Sequence, residues 1–311
     1  MADFLDLLVE DALKTVESGY YDIGTEPRLG TGNDNGTKKG RGPEKGTAAV
    51  AVVAMEDGAG KKAGKEAGDE SARRRVRLKE SITKCRHAPI IAEIKPASPS
   101  HGILRPIEGL REIARAMEAG GASGISVLTE PKHFKGSIKA LAELRGLGHG
   151  LGLGLLNLPV LMKDIIVSPI QIEAAANLGA DAILLLFSVF ERGYTSHSVE
   201  DMIKLARSRG LEVLLEVHTK REFLDALETE ADLVGINNRD LKTLKVNLDV
   251  TRRILWGISE CGKIVVSESG IQTPDDVRFL RSCGARAFLV GSAIMKAPNI
   301  EGKVRELVMA L

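Results

Sequence analysis

Cysteine and aromatic side chains are scarce in this chain of 311 residues. The three cysteines, Cys85, Cys261 and Cys283, are far apart and odd in number. They make no metal-ligand spacing and fit reduced thiols in a cytoplasmic protein. Aromatics are only 4% of the chain, so any core must be built from Val, Ile, Leu and Ala. Charge of one sign is missing too. The formal net charge is +1, which argues against a general nucleic-acid binder and against a polybasic membrane surface. Any anion recognition must therefore be local. No run is long and apolar enough to span a bilayer. The first residues, Met1 to Asp6, are acidic, with no basic start or apolar stretch of a signal peptide in view.

What is present is a large aliphatic fraction, with hydrophobic residues at 43%. That supplies a sizeable core, and the length suits one α/β barrel of about 250 residues with added segments. Phe4, Leu7, Leu8, Ala12, Leu13 and Val16 fall on one helical stripe. This predicts an extra N-terminal helix over Phe4–Val16, within a segment 1–23, docked on the main domain.

Residues 24–75 read differently. Eleven of the chain's 33 glycines lie here, mixed with Thr, Lys, Glu and Asn and without periodicity. The segment is expected to be a low-complexity, disordered insertion. Its apolar island Ala48–Met55 buries little area, and Arg73-Arg74-Arg75 reads as a solvated charge run.

From residue 76 to 311 strands and helices alternate. Candidate strands are Ile90–Lys95, Gly124–Leu128, Leu158–Lys163, Ala182–Phe187, Glu212–Val217, Asp232–Asn237, Lys263–Glu268 and Ala285–Gly291. Candidate helices are Pro106–Ala119, Ser137–Leu147, Pro169–Leu178, Val199–Arg209, Arg221–Leu227, Leu248–Ser259, Pro274–Cys283 and Ile300–Met309. Ser168-Pro169 and Thr273-Pro274 offer an N-cap followed by proline at the first helical position. Thr219 with Glu222 reads as a capping box. Gly120, Gly179, Gly210 and Gly284 stand where helices should stop. Eight strands, each followed by a helix, predict a closed (β/α)8 TIM barrel in the α/β class. A doubly wound open sheet would want a glycine-rich turn after its first strand, and Pro96-Ala97-Ser98-Pro99 is not one. The alternating glycines of Gly146–Gly154 lie between a helix and a strand and lack a Gly-Lys-Ser/Thr ending. They read as a connection on the non-catalytic face.

In such barrels chemistry gathers at the C-terminal strand ends. Those ends carry Glu93 and Lys95, Thr129-Glu130, Lys163, Glu216 with His218, Asn237-Asn238-Arg239, Glu268-Ser269-Gly270 and Gly291-Ser292. Each alone has a bland structural explanation, an ion pair or a turn. Lysines and glutamates at the same point of successive strands weigh toward function. Three carboxylates could hold a hard divalent ion. Lys95 and Lys163 argue against this, since they repel a cation. Proton transfer on an anionic substrate suits the same set, and a Schiff-base lysine stays open. Ser269-Gly270 and Gly291-Ser292, after the last two strands, occupy the usual phosphate position of such barrels. Of the six histidines, His87, His101, His133, His149, His197 and His218, only His218 lies near this rim.

The run Ile91-Ala92-Glu93-Ile94-Lys95-Pro96-Ala97-Ser98-Pro99-Ser100 resembles the first-strand signature of the indole-3-glycerol-phosphate synthases. So do Ile125–Glu130 with Phe134 and Gly136-Ser137, Leu158–Asp164, Glu212–Val217, Gly235–Thr243 and Ser267–Ile271 followed by Leu289–Ser292, in the family's order. The resemblance covers Val76 to the C-terminus. It implies ring closure, decarboxylation and dehydration of 1-(2-carboxyphenylamino)-1-deoxyribulose 5-phosphate in tryptophan biosynthesis, with no metal or organic cofactor. It implies Lys163 as general acid, Lys95 as the lysine that steers the anthranilate carboxylate, and Glu93 and Glu216 as carboxylates that orient the lysines and handle protons. Asn237, Glu268 and Ser269 resemble residues that hold the anilino and ribulose parts, and Ser98, Gly270, Gly291 and Ser292 the phosphate cradle. Phe134 and Arg239 complete the expected substrate contacts. Association with other tryptophan-pathway enzymes is a further expectation. Ala97 stands where some members carry a basic residue, and Ile165 where an aromatic is common. The helix of segment 1–23 resembles the family's N-terminal extension, but the insertion separates it from the barrel by an unusually long stretch of sequence. The remaining alternatives are another phosphosugar barrel isomerase and a non-catalytic scaffold barrel.

Overall fold

The computed structural model describes residues 3–23, 77–99, 102–106, 109–146, 156–258 and 261–311. The expectations for 24–75, for His101 and His149 and for Leu147–Gly154 lie outside them. Eight strands form a closed parallel barrel: β1 (Ile90–Ile94), β2 (Gly124–Leu128), β3 (Val160–Lys163), β4 (Ala182–Leu186), β5 (Glu212–Val217), β6 (Leu233–Asn237), β7 (Ile264–Glu268) and β8 (Ala287–Val290). Each pairs with the next in sequence, and β8 closes on β1 through Ile90 opposite Phe288. Every strand predicted from sequence is present, with ends shifted by three residues or fewer. Aliphatic, β-branched runs explain this. Both faces of a parallel barrel strand are buried, so such strands need no alternation.

Two apolar layers follow. Ile91, Leu161, Leu184, Leu214, Leu233, Val266 and Leu289 fill the barrel interior. The opposite strand faces, with Ile125, Val213, Ile236 and Phe288, pack against the outer helices. Most helix starts match their caps: Thr273 accepts from Asp276 N–H ahead of Pro274, and Thr219 accepts from Glu222 N–H. The reciprocal half of the expected Thr219 capping box differs. The Glu222 carboxylate accepts from His218 N–H at 2.7 Å, one residue before the cap. Helix stops at Gly179, Gly210 and Gly284 use positive φ. Gly120 does not, with φ −69°. Its neighbour Gly121 takes the left-handed turn, and Gly120 is small because a Cβ would run into Val304.

Among the described residues two helices precede the first strand and close the two ends of the barrel. The first, α1 (Phe4–Glu17), crosses the C-terminal strand ends. Asp11 pairs with Lys132 and His133, each at 2.8 Å, in the loop after β2. Tyr20 and Tyr21 follow the helix; Tyr20 Oη donates to Thr129 O, and Tyr21 Oη donates to Asp164 at 2.8 Å. The second, α2 (Leu78–Lys84), caps the N-terminal mouth and has no counterpart among the predicted helices. Its first backbone N–H groups and Arg77 bind the buried Glu212 at the start of β5, while Leu78 and Ile82 enter the interior layer.

Candidate active site

The strand register sets the ring of polar groups. The last inward-pointing side chain of a barrel strand, at its final or penultimate position, sits just above the aliphatic layers. Glu268 ends β7 and lies beside Asn237, which ends β6. Lys163 ends β3, across the barrel. Its ammonium lies 2.6 Å from Glu268 Oε2, 3.7 Å from Glu93 Oε2 and 3.8 Å from Glu216 Oε2. Lys95 Nζ lies 3.2 Å from Glu93 Oε1 and 5.4 Å from the centre of the Phe134 ring. Asn237 Nδ2 donates to Glu216 Oε1 at 2.8 Å, and Arg239 N–H donates to Asn237 Oδ1 at 2.9 Å. Three buried carboxylates thus converge on one ammonium.

Glycines make this packing fit. A Cβ at Gly235, next to Glu216 across the β5–β6 ladder, would overlap Glu268 Oε1. A Cβ at Gly291 would overlap Glu93 Oε1. Both residues are small because a carboxylate occupies the space beside them.

Burial and partners pull the titrations in different directions. Burial works against the Lys163 charge, but Glu268, Glu93 and Glu216 outweigh it and hold the ammonium above its ordinary range. Burial likewise opposes ionisation of Glu93, yet Lys95 and Lys163 keep it below the usual carboxylate range. Burial pushes Glu268 up to about 7; Lys163 works against this, and the neighbouring Glu216 and Glu93 add to it. One proton donor that stays charged and one carboxyl poised near neutrality meet at a single contact.

Two chambers open from this ring. The apolar one is lined by Phe4, Leu8, Phe134, Ile165, Leu184 and Leu186. The polar one, a cavity of about 490 Å³, is lined by Gly270, Gly291, Ser292 and Lys296. Lys95, Lys163, Arg239 and Ser269 line both. Ser269 holds φ +67° and Gly270 φ +89°. A left-handed non-glycine residue costs about 1–2 kcal/mol, and such strain gathers at functional sites.

The predicted residues therefore come together, with one difference in arrangement. Ser98 lines the apolar chamber with Lys95 and Phe134, whereas Gly270, Gly291 and Ser292 line the polar one. Ile165 is buried in the apolar wall, and ring faces come instead from Phe134 and Phe4. Phe4 and Lys296 were not foreseen as pocket residues. Phe4 lay in a helical stripe that looked like ordinary packing. Lys296 ends a short helix, Ser292–Lys296, whose only signal was the preceding Gly-Ser. Glu130, at the end of β2, serves the loop: its carboxylate accepts from the N–H groups of Lys132, His133 and Phe134, which fixes the Phe134 ring position. Among the described residues no His, Cys, Asp or Glu cluster is arranged to hold a metal ion.

A closed parallel barrel with an acid–base ring between an apolar and a polar chamber defines a barrel enzyme acting on an anionic substrate with an apolar part. Comparison with known proteins narrows this. The family model of indole-3-glycerol phosphate synthase matches residues 49–307. The chain is 40% identical over 245 residues to the indole-3-glycerol phosphate synthase of Methanocaldococcus jannaschii, covering 78% of this chain and 86% of the relative. It is 43% identical over 226 residues to that of Dehalococcoides mccartyi, covering 72% and 83%. Among solved structures, thiamine phosphate pyrophosphorylase from Pyrococcus furiosus matches with a TM-score of 0.51 at 19% identity, over 74% of this chain and 95% of that one, which speaks to the barrel fold alone. The chain belongs to the indole-3-glycerol phosphate synthase family.

Proposed function

We propose that this enzyme converts 1-(2-carboxyphenylamino)-1-deoxyribulose 5-phosphate to indole-3-glycerol phosphate, a carboxy-lyase step of tryptophan biosynthesis. The observation that carries the reading is the position of the Lys95–Lys163 pair. It stands where an apolar chamber walled by Phe4, Phe134 and aliphatic side chains meets a polar chamber lined by the loops after β7 and β8. A substrate with an aromatic acid at one end and a phosphate at the other spans both, with its ketone between the lysines.

The roles follow from the contacts. Lys95, beside the Phe134 ring, holds the substrate carboxylate. Lys163 gives its proton to the ketone oxygen as the aryl carbon attacks, so no alkoxide accumulates. Loss of CO2 then restores the aromatic ring. In the dehydration an ammonium of the lysine pair gives the departing hydroxyl the proton it needs to leave as water. Glu216, oriented by Asn237, takes the proton lost from the adjacent carbon and returns it to the pair, so one proton per turnover remains to be supplied. Glu93 and Glu268 hold the two ammonium groups in place. Gly270, Gly291 and Ser292 supply backbone N–H and hydroxyl donors to the phosphate, with Lys296 at the edge of the cavity. Ser98, Arg239 and Ser269 complete the walls around the ribulose.

A cytoplasmic location and association with other enzymes of the pathway belong to the same reading. The few, widely spaced cysteines support the location, and the association is inferred from the family alone; no helix among the described residues is long and apolar enough to cross a membrane. The test is direct. Purified protein mixed with the carboxyphenylamino substrate should give a rise in indole fluorescence without added metal, and the rise should persist with chelator. Absence of product would turn the reading toward another phosphosugar barrel activity.

A further inference from the structure

Beyond the apolar and polar chambers, a third cavity of about 570 Å³ opens beside the catalytic ring. His218 and Glu222 line it, with Asn237, Arg239 and Asp240. Glu216 faces the apolar chamber and is not part of this third cavity. The imidazole stands between the two spaces: His218 Nε2 lies 3.4 Å from Glu216 Oε1, and Nδ1 lies 3.9 Å from Glu222 Oε2. Both ring nitrogens are buried, and neither has a hydrogen-bond partner within bonding geometry. A buried imidazole is ordinarily tied down by at least one such bond. This one instead lies between a carboxylate of each compartment, near enough to both for a small shift to bring either into bonding range.

The reaction supplies a need for such a bridge. Resting on the function proposed above, the substrate carboxylate leaves as neutral CO2 and a hydroxyl leaves as water. One negative charge disappears, so one proton must be taken up in each turnover. A substrate spanning the two inner chambers covers the Lys163 ammonium from the open mouth. The third cavity shares Asn237 and Arg239 with the chamber beside that ring.

The geometry points to Glu222, His218 and Glu216 as a relay that brings one proton per turnover from the third cavity to the catalytic ring. Neutral His218 gives its Nε2 proton to Glu216 Oε1 while Nδ1 takes a proton from solvent by way of the Glu222 carboxylate. The N–H bond on one side breaks as that on the other forms, and the ring keeps its charge. Glu216 passes the proton on across 3.8 Å to Lys163 Nζ, left unprotonated after acting as the acid. Exchange with solvent in the third cavity returns the ring to its first tautomer. His218 acts through Glu216 and does not touch substrate, so it is a positioning residue in this scheme.

The charge environment suits a neutral carrier. Burial lowers the imidazole's affinity for a second proton. Glu222, Glu268 and Asp240 work against that, Arg192 reinforces it, and Glu216 is the carboxylate facing Nε2. A permanently charged imidazolium would hold its protons against the relay; a neutral ring moves them.

The test is chemical rescue. His218→Ala in the full chain should lower kcat about tenfold or more, with KM for the substrate within twofold of wild type. Free imidazole should restore kcat saturably, because the third cavity has room for it. The pH profile of the rescued rate should follow the added base. A packing role alone would give a loss that imidazole leaves in place, and that result overturns the relay. So does a His218→Ala kcat within twofold of wild type. Should the alanine variant fold poorly, His218→Gln provides the second reading. It fills the space and can bond Glu216 but cannot pass a proton through, so its kcat should fall equally; retained kcat overturns the relay. Wild-type turnover measured alongside separates the two claims. Wild-type activity with an unimpaired variant removes the relay alone, whereas an inactive wild type removes the function it rests on as well.

Discussion

Lys163 and Glu268 face each other across the barrel, from the ends of β3 and β7, with Nζ 2.6 Å from Oε2. The contact joins an ammonium held above its ordinary range to a carboxyl pushed up to about 7. Burial by the aliphatic layers beneath raises the carboxyl, whereas the ammonium is lifted by the three carboxylates around it against that same burial.

The burial of Glu268 makes stability depend on pH. Glu268 in the unfolded chain ionises near its ordinary value of 4.5, and in the fold near 7. Between those values the folded protein holds a proton that the unfolded chain gives up. The associated stability is fully present below about pH 4.5 and is lost as pH rises through 7, by on the order of 3 kcal/mol. Glu268→Gln should therefore be more stable relative to wild type at pH 8 than at pH 5. Urea unfolding of both proteins at the two pH values measures the difference; an equal difference at both would contradict the shift. Asp164, pushed up to about 6 by burial, titrates in an overlapping window, but it is common to both proteins and cancels in the comparison.

Gly235→Ala tests the placement of the same carboxylate. The added Cβ would overlap Glu268 Oε1 and move that group off Lys163. Misplacement of about 1 Å can cost up to a hundredfold in rate. The expected result is a fall in kcat of about tenfold to a hundredfold, with an unchanged far-UV circular dichroism spectrum. A kcat within twofold of wild type would show that Glu268 tolerates displacement.

Tyr21→Phe tests how the N-terminal segment is tied to the ring. Tyr21 Oη donates to buried Asp164, which also accepts from Thr129 and from Ile165 N–H. Loss of one buried hydrogen bond to a charged group costs about 1.5–3 kcal/mol. The donor stabilises the ionised carboxylate, so the cost should be larger at pH 8 than at pH 5. Unfolding free energies at the two values check both size and sign.

The sequence made much of this legible for a physical reason. Barrel strands are buried on both faces, so they appear as bounded aliphatic runs, and their last inward residue must be polar where the core ends. That pattern alone sets Glu93, Lys163, Glu216, Asn237 and Glu268 on one rim. Long-range docking was not legible. Nothing in the local pattern of Leu78–Lys84 says that its first N–H groups bind Glu212, more than 130 residues away. Nor does the stripe of α1 say that Phe4 faces a pocket rather than a core. The end of the Thr219 capping box was missed because the Glu222 carboxylate can reach either of two adjacent N–H groups, and the fold selects His218.

Phe4→Ala puts the contribution of α1 to the apolar chamber to the test. Phe4 lines that chamber and meets His133 edge to face at 5.6 Å between ring centres. Removing a ring that contacts only the aryl part should weaken binding more than chemistry. KM should rise about tenfold, equivalent to about 1.4 kcal/mol, with kcat within threefold of wild type. A kcat loss without a KM change would place Phe4 outside the substrate contact.

The most direct measurement is single-turnover product formation by Lys163→Ala, followed by indole fluorescence, beside equilibrium binding of the same substrate. If this ammonium protonates the ketone as the ring closes, the variant binds substrate with a dissociation constant within about tenfold of wild type and forms product at least a thousandfold more slowly. Product formation at a rate near that of wild type would remove Lys163 as the acid and, with it, the chemical role assigned to the three carboxylates around it.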